Sequence, residues 1–554
     1  MFIDNFYDKI DKSNFYLGMV SQVYRENSVV QVENLSWLSH RKIKSETLIP
    51  NTINYFVIVD SIQGLFIGEV YQSKVAASES VHDSMNNGVT EDVYPELSID
   101  VIGVMKSNGN TFELAGFHTV GITDKVYIAN ERVIEMYLNS IEIKYNSNIS
   151  ESPLSSFANF SKLENQSIYL KPSTLFDRHI MAVGTTNSGK STSALSILDK
   201  LVRDQKKVLI VDPTGEYSNS FTESTQEDLE GEVCKLRLGT DTVLPVGEVS
   251  NQQWAMLFET NDATQPAVLA DAIKSLRYQK KNKKVGIYEK ENQLVTNVKK
   301  DMASVGDDNK DFELNDLPKQ IAAETNKIGK NGKNTIYQQN DFNFNSNQWL
   351  VQKVQYKLAN TSLINFFNND GSKKNLLQQL DAFLQKPNSA LYIDTSAIGT
   401  DDAIGGVIID LISNYLISNY LINKQRDEIS PFVFFVDEVH RYTKAINSES
   451  DYYTGLTSIA REGRKKGIFL FLTTQNPQDV PDTLLGQIGT LLIHRLTHVE
   501  EIRTIQNHLK ANSLGQIKKL DKGEAILTSI NLLQDLHLNM NKTNRHHKND
   551  TPQL

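Results

Sequence analysis

The sequence predicts an α/β fold: a mostly parallel sheet covered by helices, preceded by a small β-rich domain and interrupted by a helical insertion. Three observations lead there. From about residue 168, apolar runs at 208–211, 391–393, 432–436, 468–472 and 491–493 alternate with helical stretches. Continuous apolar strands of this kind are buried on both faces, as in parallel sheets. The first 150 residues instead carry short runs rich in Val, Ile, Phe and Tyr, separated by Asn, Asp, Ser and Gly. Between 250 and 385 the strand rhythm stops, and Lys, Asn, Gln and Leu recur at helical spacing.

The β-rich start, 1–150, offers strands at 15–24, 28–32, 53–59, 65–71, 97–105 and 111–114. Their spacing fits a small barrel or sandwich. Asn108-Gly109-Asn110 reads as a hairpin turn, and the polar stretch 76–90 as a mobile loop. The αβ core takes 151–249 and 386–537, with the insertion 250–385 inside it. Within the insertion, 279–348 is polar enough for partial disorder. The echo DLISNYLISNY at 410–420 has apolar positions at helical spacing and reads as a buried helix. The polar end, 538–554, reads as a flexible tail.

Composition narrows the class. The chain has 554 residues, so two or three domains are expected. It lacks a basic-then-apolar leader pattern and any apolar run long enough to cross a bilayer. A single cysteine, Cys234, excludes an internal disulfide framework and fits a reducing cytoplasm. The net charge of −10 weighs against a basic coat, but not against nucleic acid, whose binding depends on where Lys and Arg sit.

Gly184-Thr185-Thr186-Asn187-Ser188-Gly189-Lys190-Ser191 follows a short apolar strand and opens a helix that continues with Thr192. The glycines permit a tight curve in which backbone N–H groups converge on phosphate oxygens at a helix start. Lys190 would reach the β and γ phosphates of ATP, and Ser191 would bind magnesium. Hydrolysis needs acids nearby. Asp437 and Glu438, ending the 432–436 strand, supply them: Asp437 for magnesium, Glu438 to polarise the attacking water. The next strand ends at Thr473-Thr474-Gln475, where Gln475 could touch the γ-phosphate.

Cations flank these motifs. Arg461, Arg464, Lys465 and Lys466 precede the 468–472 strand, and could be a solvated helix end. They could equally present an arginine to a neighbouring subunit's nucleotide, with Arg464 the first choice and Arg461 the second. Arg178, six residues before the loop, could contact phosphate in its own subunit. Asp212-Pro213-Thr214-Gly215-Glu216-Tyr217 is either part of the nucleotide site or a Pro-Gly turn.

Together, DRHIMAVGTTNSGKST, LIVDPTGEYS, FVFFVDEVHRY, SIAREGRKKGIFLFLTTQNP and KGEAILTS resemble the HerA branch of the HerA/FtsK superfamily of P-loop motors, over about 168–535. The resemblance implies a P-loop RecA-like ATPase core behind a partner-docking β-barrel. It also implies a homo-hexamer that uses ATP and Mg2+ to move double-stranded DNA. An effector, such as a sirtuin-like protein or a NurA-like nuclease, would dock at the barrel, in phage defence or DNA end processing. It carries Lys190, Ser191, Asp437, Glu438 and Gln475 by position, and Arg178 and Arg464 less directly. Relatives often place a second glycine between the two that bound the loop, where this chain has Thr-Thr-Asn-Ser. Lys280, Lys281, Lys283 and Lys284 are candidate DNA contacts, or simply a solvated face. Two other readings compete: an ATP-regulated ring scaffold that activates an effector without moving DNA, and a peptide or conjugation motor.

Overall fold

A computed structural model of the chain describes all residues except 1, 9–11, 26, 44–45, 76–77, 89–92, 108, 144–150, 164–165, 222–232, 262–263, 369–370, 399–401, 423–429, 444–453 and 546–554. The chain divides into two compact units: Met1–Leu175 with Ile505–Asn539, and Phe176–Thr504 with Met540–Leu554.

In the first unit, alternation of apolar and polar residues closes a sheet on itself. The barrel runs in the order Tyr16–Val23, Ser28–Val32, Glu96–Met105, Gly64–Lys74, Phe56–Ser61, Lys125–Ile128, and every neighbouring pair is antiparallel. Closure removes the unpaired edges that an open sheet of this size would expose. Leu17, Val30, Val57, Val59, Leu65, Ile67, Leu97 and Val126 are buried among its strands. Between the two possibilities left by the pattern, the barrel is the one formed. The expected strand at 111–114 is only a bridge from Glu113 to Val104. The closing strand, Lys125–Ile128, is too short to stand out in sequence. Asn108 of the expected hairpin turn lies outside the described residues. In the stretch expected to be a loop, Ser78–Asn87 is helical.

The second unit holds seven parallel strands in the order Val233–Arg237, Ala390–Asp394, Val208–Asp212, Phe432–Val436, Ile468–Thr474, Ile180–Val183, Thr490–Ile493. This is a P-loop RecA-like core. The strand that feeds the glycine loop is not beside the strand ending in Asp437, because Ile468–Thr474 lies between them. Because these strands all run the same way, the loop, the two acids and Gln475 share one edge of the sheet. Sequence motifs more than two hundred residues apart therefore converge there.

The insertion is mostly helical, with helices such as Asn251–Leu257, Gln265–Lys281, Asp341–Leu358 and Leu376–Gln385. Trp254 is buried against Phe258, Phe312 and Phe367, at ring separations of 5.7, 5.8 and 5.1 Å. The stretch read as partly disordered contains an ordered hairpin, Asn326–Asn331 with Asn334–Gln339. Its Lys- and Asn-rich strands are joined by main-chain hydrogen bonds, so they carry no apolar signal. The 410–420 echo lies within the helix Asp402–Ile422.

The end expected to be loose from 538 is structured as far as 545. Leu536–Met540 pairs antiparallel with Glu524–Ser529. Arg545 is buried, donating to Asp199 Oδ1 at 2.6 Å and to the Ser220 carbonyl at 3.2 Å. Among the described residues no helix is long and apolar enough to cross a membrane.

Candidate functional site

The glycine loop curves tightly where its residue types allow it. Gly189 takes φ 102° and Asn187 φ 65°, both left-handed. Asparagine tolerates that region better than other residues with a Cβ, so Asn187 does what a further glycine would do. Gly184 allows the close approach at the loop's start, where a Cβ would meet Ser188 Oγ at 2.6 Å and His494 Cβ at 2.7 Å. The loop is braced from the strand beside it: Thr185 donates from N and from Oγ1 to the Arg495 carbonyl, each at 3.1 Å. Ser188 Oγ is buried without a hydrogen-bond partner. Lys190, Ser191 and Thr192 form the first turn of the helix Lys190–Arg203.

The two acids are held by the neighbouring strand. Register places Val436 beside Leu472, which brings Asp437 next to Thr473. Thr473 Oγ1 donates to Asp437 Oδ1 and accepts from the Glu438 backbone N–H at 2.9 Å. Glu438 itself is left-handed, at φ 48°. A non-glycine residue held there costs about 1–3 kcal/mol, a type of strain that clusters at functional sites.

Glu438 is also the centre of a polar network. Oε1 pairs with Lys190 Nζ and accepts from Gln475 Nε2 at 2.7 Å. Oε2 accepts from Gln475 N at 3.2 Å and lies 3.3 Å from His440 Nδ1. Gln475 Oε1 in turn accepts from Thr186 Oγ1 at 2.6 Å, linking the glycine loop to the acid. Burial alone would raise the Glu438 carboxyl. The His440 contact, the Lys190 ammonium and the Gln475 amide outweigh it and hold Glu438 ionised. An ionised carboxylate is a proton acceptor, as activation of water requires.

Asp437 has the opposite balance. It is fully buried, and burial followed by the Glu438 charge raises its carboxyl. Its Oδ2 has no hydrogen-bond partner. Glu216 stands nearby: burial raises it too, against a hydrogen bond from Ser191. A buried, unpartnered carboxylate oxygen near Glu438 and Glu216, the second of them bonded by Ser191, is chemistry that fits a divalent cation. No group of three or more His, Cys, Asp or Glu side chains among the described residues makes a metal cage.

Asp212 shapes the turn that delivers Glu216. Its Oδ1 accepts from Thr214 N at 3.1 Å, Thr214 Oγ1 at 2.9 Å and Gly215 N at 2.8 Å. Its Oδ2 accepts from Tyr217 N at 2.9 Å and Tyr392 Oη at 2.8 Å. Of the two readings left open for this stretch, the turn describes Asp212, while Glu216 stands near Ser191, Lys190 and Glu438.

The arginines lie elsewhere. Arg178 precedes the Ile180–Val183 strand and Arg464 precedes Ile468–Thr474, so both stand at the amino edge of the sheet, opposite the glycine loop. With Arg461, Lys465 and His179 they line an open cavity of about 500 Å³. Gly489 makes room for Arg178, since a Cβ there would meet Arg178 Cβ at 2.6 Å. Arg464 Nη2 lies 3.9 Å from Asp177 Oδ2, with about half of its side chain exposed. The expected contact between Arg178 and its own subunit's phosphate is therefore corrected. The length of a strand separates the two, beyond the reach of the side chain.

Three of the four insertion lysines have local partners. Lys280 pairs with Glu313 at 3.5 Å, Lys281 donates to the Ser304 carbonyl, and Lys284 lies over the Tyr278 ring at 5.6 Å. Sequence reasoning missed Thr473 and His440. Strand register would have found Thr473, because a residue beside Asp437 on the next strand must face it.

Two family models match this chain: the central domain of helicase HerA over 158–414 and the HerA-like helicase C-terminal domain over 421–532. A probable helicase of Methanocaldococcus jannaschii is 21% identical over 66% of this chain and 62% of its own length. The DNA double-strand break repair helicase HerA of Sulfurisphaera tokodaii is 22% identical over 63% of this chain and 62% of its own. The chain thus spans less than two thirds of the length of these curated relatives. Plasmid coupling protein TrwB, solved with ADP and Mg2+, gives a TM-score of 0.43 at 11% identity, over 73% of this chain and 98% of that one.

Proposed function

The chain belongs to the HerA family of helicases, and from that premise we propose that it is an ATP-hydrolysing motor that moves double-stranded DNA. The observation that carries the reading is Glu438. It is an ionised acid held in a strained backbone conformation against Lys190, and tied through Gln475 to the glycine loop.

In this reading the loop N–H groups and Lys190 hold the β and γ phosphates. Ser191 and Asp437 would hold Mg2+, whose charge would offset that of the phosphates. Lys190 leaves Glu438 for the triphosphate, which frees Oε1 to orient the attacking water and take its proton. Gln475, bonded to both Thr186 and Glu438, registers loss of the γ-phosphate. Arg464 and Arg178 complete the site of a neighbouring subunit, where they offset charge on the transferred phosphoryl oxygens. That arrangement needs a closed ring, for which a homo-hexamer is the proposed form. Grip on DNA would come through phosphate contacts and would be sequence-tolerant. The β-barrel would dock an effector enzyme, a nuclease or a sirtuin-like protein, and the assembly would act in the cytoplasm in phage defence or DNA end processing.

The test is hydrolysis of ATP by the purified chain with and without duplex DNA, together with displacement of a protein roadblock from that DNA. Stimulation and displacement that both vanish in Glu438→Gln are expected. Turnover without stimulation or displacement, in the presence of the effector, would replace the motor with the ATP-regulated scaffold.

A further inference from the structure

The helix Asp402–Ile422 is a common wall for three parts of the ATPase unit. Its glycine pair admits two of them: a Cβ on Gly405 would meet Tyr442 Cε1 at 2.5 Å, and one on Gly406 would meet Met256 Cε at 2.6 Å. Tyr442 closes the turn that starts at Glu438. Met256 belongs to the insertion's first helix, Asn251–Leu257.

One turn further on, Asp410 is 2% exposed and accepts from the third part, from the insertion helix again and from its own helix. Oδ1 accepts from Gly455 N at 2.6 Å. Oδ2 accepts from Gln253 Nε2 at 2.8 Å and from Asn414 Nδ2 at 2.9 Å. The Gln253 amide is fixed in orientation, because its Oε1 accepts from Ser250 N at 3.0 Å in a capping box. Gly455 allows the helices to touch: a Cβ there would meet Ser413 Cβ at 2.8 Å. The helix Gly455–Glu462, whose start Asp410 holds, carries Arg461 and runs into the turn Gly463–Lys466 that carries Arg464.

We propose that Asp410 is a positioning residue for the arginines. Its carboxylate pins the start of the arginine helix to the first helix of the insertion, and so sets where Arg464 presents its guanidinium. The inference rests on the reading of Arg464 as a group that completes a neighbour's site. A buried carboxylate that accepts from a backbone N–H and two amides cannot be replaced by an amide of the same shape without turning a donor against a donor. A displacement of about 1 Å of a group acting in the transition state costs about 10²-fold in rate. None of the described contacts of Asp410 is with the phosphate loop, so affinity for ATP should change little.

The experiment is steady-state ATP hydrolysis by the full chain with Mg2+, using Asp410→Asn, Gln253→Glu, their combination, Arg464→Ala, and Asp410→Asn with Arg464→Ala. Unfolding midpoints identify any variant that is not folded. Asp410→Asn is expected to lower kcat about ten- to hundredfold, with KM within about twofold. Adding Gln253→Glu is expected to restore kcat. The carboxylate introduced on the insertion helix accepts what the new amide donates, while its second oxygen keeps the Ser250 cap, and the exposed Asn414 amide turns its oxygen to the new donor. Asp410→Asn is expected to add nothing once Arg464 is alanine. Wild-type kcat in a folded Asp410→Asn, or losses that multiply with Arg464→Ala, would overturn the proposal. If Asp410→Asn does not fold, Gln253→Met decides by the same two criteria: a lowered kcat, and no further loss in the Arg464→Ala background. Wild-type turnover in Arg464→Ala would instead refute the reading of Arg464 and, with it, the role given to Asp410. An impaired Arg464→Ala beside an unimpaired Asp410→Asn refutes the positioning role alone.

Discussion

The two edges of the parallel sheet are built by opposite rules. At the carboxyl edge, polar side chains hold one another: buried Lys190 with Glu438, buried Thr473 with Asp437, and the more open Gln475 between Thr186 and Glu438. At the amino edge, Arg178, Arg461 and Arg464 are exposed around an open cavity. The first edge is preorganised within one chain. The second presents charge outward, to solvent. On the proposed reading, the contrast separates the machinery that binds and cleaves ATP from the machinery that answers to a neighbouring subunit.

The largest expected effects fall on the carboxyl edge. Lys190→Ala removes both the phosphate contact and the counter-charge of Glu438, and ATP binding and turnover should both be lost. Glu438→Gln should cut turnover by about 10³-fold or more while ATP is still bound, because the loop remains intact. Equilibrium binding of a fluorescent ATP analogue beside steady-state hydrolysis separates the two. Wild-type turnover in Glu438→Gln would end the assignment.

At the amino edge, Arg464→Ala should lower kcat by about 10³-fold and leave ATP binding unchanged. Weakened binding equal to the lost turnover would place Arg464 with the substrate of its own chain and erase the contrast between the edges.

A smaller effect tests how the amino edge is packed. Gly489→Ala should destabilise by about 1–3 kcal/mol, since its methyl must displace the stem of Arg178. Chemical denaturation measures this. An unchanged midpoint would mean that Arg178 is free to move aside.

The smallest effect is a pH dependence. His179 is buried, donating from Nε2 to the Ala460 carbonyl at 2.9 Å and accepting at Nδ1 from Leu470 N at 2.9 Å. Burial lowers its pKa below 6.5, opposed by the Ala460 bond and aided by the Arg464 charge. The unfolded chain therefore binds more protons in the window below 6.5. Stability from neutral His179 is fully present above that value and declines as the pH falls through the depressed one. His179→Gln should flatten that slope in unfolding midpoints measured from pH 7 downward.

What the sequence made legible follows the same division. The glycine loop, Asp437-Glu438 and Gln475 are local patterns at strand ends, and each needs only its own few residues to be read. Their convergence followed from strands that all run one way. The same polarity would have placed Arg178 correctly: a residue before a strand and a loop after it stand at opposite edges. Asp410 and Gln253 carry no local signal, because a buried Asp in an apolar helix reads as part of the helix until its partners are seen. The hairpin Asn326–Gln339 and the ordered segment to Arg545 were missed for a related reason. Main-chain ladders and a single buried ion pair leave no apolar period in the sequence.

The central claim is that the amino edge of one chain completes the carboxyl edge of the next. Mixing Lys190→Ala with Arg464→Ala tests it most directly, because each protein is inactive for a different reason. In a randomly mixed ring, about one seam in four joins an intact carboxyl edge to an intact amino edge. Hydrolysis in the mixture should rise well above that of either variant alone. Hydrolysis that stays at the sum of the two, although the chains are shown to assemble together, would contradict the account.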